Sequence, residues 1–134
     1  MILGIDPGER RIGIAIADHE TRFARPLEVI DVKVAEPVTR IVELVAEHSV
    51  DRIVVGRPVG LSGAAGAAVE RQQVLLGALR DASDVEIVEY DERLTTVMAN
   101  RALRDAGRSS RDTKEIRDAV AAQILLQGYL DSTR

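Results

Sequence analysis

The chain has 134 residues, 46% of them hydrophobic and 30% charged, which is the length and balance of one soluble domain able to bury its own core. It has no cysteine, which excludes disulfides, thiolate zinc sites and cysteine nucleophiles, and no ligand spacing surrounds either histidine, His19 or His48. A net charge of −4 and only three aromatic residues, Phe23, Tyr90 and Tyr129, argue against a generally basic binder or a base-stacking platform, so any polyanion site must be local.

Ile2 to Asp6 is a short apolar run that ends in the turn signal Asp6-Pro7-Gly8-Glu9. Ile12, Ile14 and Ile16 then recur at period two, so Arg11 to Ala17 reads as a second strand paired with the first in a hairpin. A third strand covers Leu27 to Val32. Pro37 suits the first position of a helix whose apolar face is Val38, Ile41, Val42 and Val45. Asp51 to Gly56 is a compact apolar strand of the kind buried in a parallel sheet.

A glycine-rich loop from Gly56 to Gly66 leads into a helix with Ala65, Ala68, Val69, Leu76 and Leu79 inward, and Val85 to Tyr90 is the fifth strand. A helix capped by Thr95 or Thr96 and closed by Gly107 follows, then a polar, basic loop from Arg108 to Thr113. The last helix is read from Ile116 to Leu130. The order β-β-β-α-β-α-β-α-α predicts an α/β fold: a five-stranded mixed sheet with helices on both faces, the later strands parallel to the first, in one domain spanning residues 1–134. No apolar run reaches the ~18 residues of a membrane span, and the amino terminus reads as a strand rather than a leader. A cytoplasmic protein without a membrane partner is expected.

Three acidic positions stand out. Asp6 ends the first strand, Asp91 and Glu92 end the fifth, and Asp118 lies near the start of the last helix. Ligands of open parallel sheets bind at the carboxyl ends of the strands, where the first three of these acids fall. A turn residue explains Asp6 equally well, and a helix-dipole or loop role would serve Asp91, Glu92 and Asp118. Asp118 is the hardest to explain away, because helical spacing aligns it with Ala121, Ala122, Leu125 and Tyr129 on an inward stripe. A carboxylate there needs a partner. Arg117 points about 100° away, which leaves a metal or a distant arginine. Converging carboxylates form a hard-oxygen site suited to Mg²⁺ or Mn²⁺ and to phosphodiester cleavage.

Four segments together resemble the YqgF/RuvX family: Ile5-Asp6-Pro7-Gly8-Glu9-Arg10-Arg11-Ile12-Gly13-Ile14-Ala15, Val54-Val55-Gly56-Arg57-Pro58, Asp91-Glu92-Arg93-Leu94-Thr95-Thr96, and Asp118 to Ala122 with Leu125 to Leu130. They occur in order and cover nearly the whole chain. The resemblance implies a ribonuclease H-like fold and divalent-metal hydrolysis of phosphodiesters, either in pre-16S rRNA processing or on Holliday junctions. It also implies Asp6, Asp118 and an acid of the Asp91-Glu92 pair as catalytic metal ligands. Adjacent strand residues face opposite ways, so only one of that pair should be a ligand, and Glu92 is favoured. Two departures from the family are Arg57, where an apolar residue is commoner, and a loop from Gly60 to Gly66 that is poor in polar residues.

Phosphate contacts are expected from backbone N–H groups around Gly63 and from Arg10, Arg11, Arg57, Arg93, Arg108, Arg111 and Lys114, although each cation taken singly suits a solvated surface. The loop lacks the lysine and spacing of a P-loop. The partner expected is nucleic acid, pre-rRNA or branched DNA, handled by a monomer or a homodimer. A non-catalytic nucleic-acid-binding module is the second reading. An actin-like ATPase is the third, weakened because such proteins need two domains of this kind.

Overall fold

The computed structural model describes residues 1–57, 64–91 and 110–133. Its elements are β1 (Ile2–Asp6), β2 (Arg11–Ala17), β3 (Ala24–Asp31), α1 (Pro37–His48), β4 (Arg52–Arg57), α2 (Ala64–Ala82), β5 (Glu86–Asp91) and α3 (Ser110–Ser132). One sheet carries all five strands in the order β3-β2-β1-β4-β5. β1, β2 and β3 are antiparallel neighbours, whereas β1, β4 and β5 run parallel. The expected mixed sheet is therefore present. The helix read between Thr95 and Gly107 lies outside the described residues.

The two faces of the sheet differ in side-chain size, and that difference decides which helix lies where. Leu3, Ile5, Ile12, Ile14, Ile16, Ile53 and Val55 fill one face and pack with Ile41 and Leu44 of α1 and Leu76 and Leu79 of α2. Each such side chain, once buried, contributes roughly 1.5–3 kcal/mol. The opposite face is built largely from small residues, with Ala15 and Ala17 beside Ile2 and Val54, and it receives Ala122, Leu126, Tyr129 and Leu130 of α3. Small residues let this helix lie close. An added Cβ at Gly13 would come within 2.0 Å of the Asp118 carbonyl oxygen, so only glycine fits there.

Local chemistry sets the boundaries. Glu36 caps α1 by accepting from the Thr39 backbone N–H at 2.7 Å, and Pro37 follows at the helix start. β3 begins at Ala24, earlier than the apolar alternation indicates, and includes Pro26. Proline is tolerated because β3 is an edge strand. α2 begins at Ala64, so Gly66 lies inside a helix and not in the glycine loop expected there. α3 begins at Ser110, within the stretch expected as a loop. Arg111 to Glu115 contain no breaker, and their polarity hides a helix that periodicity cannot detect.

Candidate functional site

The site is assembled around Gly13. In the β1–β2 register Asp6 stands opposite Gly13, and the close approach of α3 at Gly13 is made by the backbone of Asp118. Two acids far apart in sequence are thus brought to one small residue. Alternation along β1 places Asp6 on the α3 face: Leu3 and Ile5 belong to the core under α1 and α2, whereas Ile2 belongs to the α3 core. Asp6 also terminates β1, so the acids occupy the carboxyl edge of the parallel strands.

Asp118 has the distant arginine that its position requires. Arg11 Nε donates to Asp118 Oδ2 at 2.8 Å, and the two side chains retain only 28% and 21% of their exposure. Arg11 is the first residue of β2, reached from Asp6 through the Pro7-Gly8 turn. That turn is tight, for a Cβ on Gly8 would fall 2.3 Å from the Arg11 carbonyl oxygen. Arg11, expected on sequence as a phosphate contact, here makes an internal ion pair.

Asp91 goes elsewhere. Glu89 of β5 accepts from Gln72 of α2 at 2.7 Å, whereas Tyr90 packs on the α3 side against Tyr129, with ring centroids 6.1 Å apart. The strand alternation therefore puts Asp91 on the α2 face, in register with Arg57 and opposite to Asp6 and Asp118. Among the described residues no three acids or histidines form a metal cage. Glu92, Gly63, Arg93 and Arg108 lie outside the described residues, as do Gly60 and the two threonines of the expected cap.

The remaining cations separate by position. Arg10 is half-exposed and its Nε donates to Asp31 at 3.4 Å. That contact and the stronger Lys33 backbone N–H hold the Asp31 carboxyl below its ordinary value. Arg57 is exposed at the end of β4. Arg111 and Lys114 fall in the first turns of α3. His19, which sequence assigns to no site, donates from Nε2 to the Asp51 carboxylate at 2.7 Å at the opposite end of the sheet. Gly13 is the residue that motif reading undervalues; the signal for it is a glycine inside the isoleucine alternation of β2.

A mixed sheet in the order β3-β2-β1-β4-β5, with a helix laid across its small-residue face, is a ribonuclease H-like fold. Solved structures agree in fold. Thermus thermophilus RuvC in complex with a Holliday junction substrate superposes with a TM-score of 0.62 at 17% identity, covering 98% of this chain and 94% of that one. The fowlpox virus Holliday junction resolvase gives 0.54 at 10% identity, with 98% of each chain covered.

The chain belongs to the RuvX family, described as "RuvX: Holliday junction resolvase", whose pattern it matches over residues 1–132. Among curated relatives, the protein named "Putative pre-16S rRNA nuclease" of Ruminiclostridium cellulolyticum is 40% identical over 132 residues, covering 97% of this chain and 93% of that protein. Its namesake in Chloroflexus aggregans is 44% identical over 134 residues, with 99% and 94% covered.

Proposed function

We propose that this chain is a metal-dependent nuclease that hydrolyses phosphodiesters in the 5′-end processing of pre-16S rRNA. The observation that supports it is the convergence of Asp6 and Asp118 on Gly13, at the edge where a ribonuclease H-like sheet receives its ligand. The substrate follows from the names of full-length relatives about 40% identical.

The donor set fits a hard divalent cation. Both described acids supply carboxylate oxygens, and among the described residues the Arg11 Nε is the one hydrogen-bond donor to Asp118, leaving Oδ1 for another partner. Asp6, Asp118 and Glu92 are the residues that would hold it, Glu92 as the acid of the Asp91-Glu92 pair that remains once Asp91 is turned to the α2 face. Mg²⁺ or Mn²⁺ bound there would polarise the scissile phosphate and activate water. The chain's own groups orient the substrate: Arg10, in the connection between β1 and β2, and Arg57, at the end of β4, offer charge to the sugar-phosphate backbone, and Arg111 and Lys114 extend that charge along the first turns of α3. Arg93, Arg108 and the N–H groups near Gly63 complete the proposed contacts.

Cleavage of a precursor 16S rRNA 5′ fragment and of a four-way DNA junction, compared side by side with Mg²⁺, Mn²⁺ or EDTA, tests the reading. Metal-dependent cutting of the RNA, absent in Asp6→Asn, is expected. Cutting of the junction alone would reassign the substrate to branched DNA. No cutting of either, with binding intact, would make the chain a binding module.

A further inference from the structure

Arg11 is placed to do more than touch a phosphate. Asp118 is only 21% exposed, so its charge is costly without a partner, and Arg11 supplies that partner through a single bond from Nε at 2.8 Å. Among the described residues the two terminal guanidinium nitrogens make no hydrogen bond. Arginine favours two-point contact with an anion, so the observed grip is the weaker of the geometries open to it. The residue opposite Arg11 in β3 is Asp31, already engaged by Arg10 and by the Lys33 backbone.

We propose that Arg11 is a displaceable counter-ion: it neutralises Asp118 while no metal is bound, and turns its guanidinium fork to a phosphate when metal and nucleic acid arrive. The inference rests on the metal-site reading above. A divalent cation at Asp118 repels a guanidinium a few ångströms away, and a phosphate at the same edge attracts it. Metal and nucleic acid then favour each other, because the phosphate that draws Arg11 away releases the carboxylate, and linkage makes the effect mutual. The protein alone holds metal weakly.

The test is a Mn²⁺ titration of the full chain followed by electron paramagnetic resonance, without nucleic acid, on the wild type, Arg11→Gln, Arg11→Lys, Asp6→Asn and the double variant Arg11→Gln/Asp118→Asn. Removing the resident charge should tighten Mn²⁺ binding about tenfold or more, Arg11→Lys should stay near wild type, and the double variant should lose the gain. Arg11→Met, which keeps the apolar stem, replaces Arg11→Gln if circular dichroism shows that the latter has not folded. Equal or weaker Mn²⁺ binding on loss of the charge, with wild-type binding measurable and weakened by Asp6→Asn, overturns the counter-ion and leaves the metal site standing. Absence of Mn²⁺ binding in both wild type and Arg11→Gln overturns the metal site and the counter-ion together.

Discussion

Gly13 faces Asp6 across the β1–β2 pair, and the space where its side chain would stand is taken by the Asp118 backbone, 2.0 Å from the Cβ position. The packing of α3 on the sheet and the approach of the Asp118 backbone to the residue paired with Asp6 are therefore one structural event. Gly13→Ala should force helix and sheet apart, costing about 3 kcal/mol and displacing Asp118 from Asp6. Gly77 is the control. It lies within α2 with nothing within 4 Å of an added Cβ, so Gly77→Ala should stabilise by roughly 0.5–1 kcal/mol through helix propensity. Urea denaturation of the two variants should give shifts of opposite sign.

Edge strand β3 is covered in part by amide side chains of α3. The Ala24 backbone N–H donates to Gln127 Oε1 at 2.9 Å, Gln127 Nε2 donates to the Arg22 carbonyl at 3.0 Å, and Gln123 Nε2 donates to the Ala24 carbonyl at 3.1 Å. Gln127→Leu leaves two part-buried backbone groups without these partners, at a cost of about 1–3 kcal/mol. Hydrogen exchange at Ala24 should accelerate in that variant, while exchange in central β1 changes only with global stability.

Arg40 of α1 clamps Glu28 of β3 through two bonds of 2.8 Å, from Nε and Nη2. The hydrogen bonds from Arg40 hold the Glu28 carboxyl below its ordinary 4.5, and they outweigh the opposing effect of burial. A carboxylate whose folded-state pKa is lowered contributes stability that is present above its unfolded value and is lost as pH falls through the folded one. Melting temperature should therefore drop on acidification from about pH 5 downward. The drop should be shallower in Arg40→Met, whose Glu28 titrates nearer its unfolded value. Parallel acid profiles for the two proteins would remove Arg40 from the account.

Much of this architecture is written locally. The alternation of isoleucines gives β2 its bounds, the Asp6-Pro7-Gly8 turn gives the hairpin, and the inward stripe below Asp118 shows that this acid needs a partner. Its partner was not legible, because Arg11 lies 107 residues away and only the folded register brings it to 2.8 Å. The early start of α3 was hidden for a different reason: its first turns carry charge all round, so no apolar period marks them. Gly66 misled in the opposite sense, as a glycine that punctuates nothing and merely costs α2 some helix propensity.

The Asp91-Glu92 pair gives the sharpest test of the proposed site. Tyr90 is on the α3 side with Tyr129, and Glu89 is on the α2 side with Gln72 and Gln73. Asp91, next in the pleat, belongs with Glu89, away from Asp6 and Asp118. Asp91→Asn should therefore keep metal-dependent cleavage within a few-fold of wild type, whereas Glu92→Gln should lower it by at least about a hundredfold, the order expected when one of a set of metal ligands is neutralised. Single-turnover cleavage under saturating Mg²⁺ separates this loss from weaker binding. The reverse pattern, with Asp91→Asn inactive and Glu92→Gln active, would mean that β5 turns its acids the other way at the edge of the sheet and would exchange the two residues' roles.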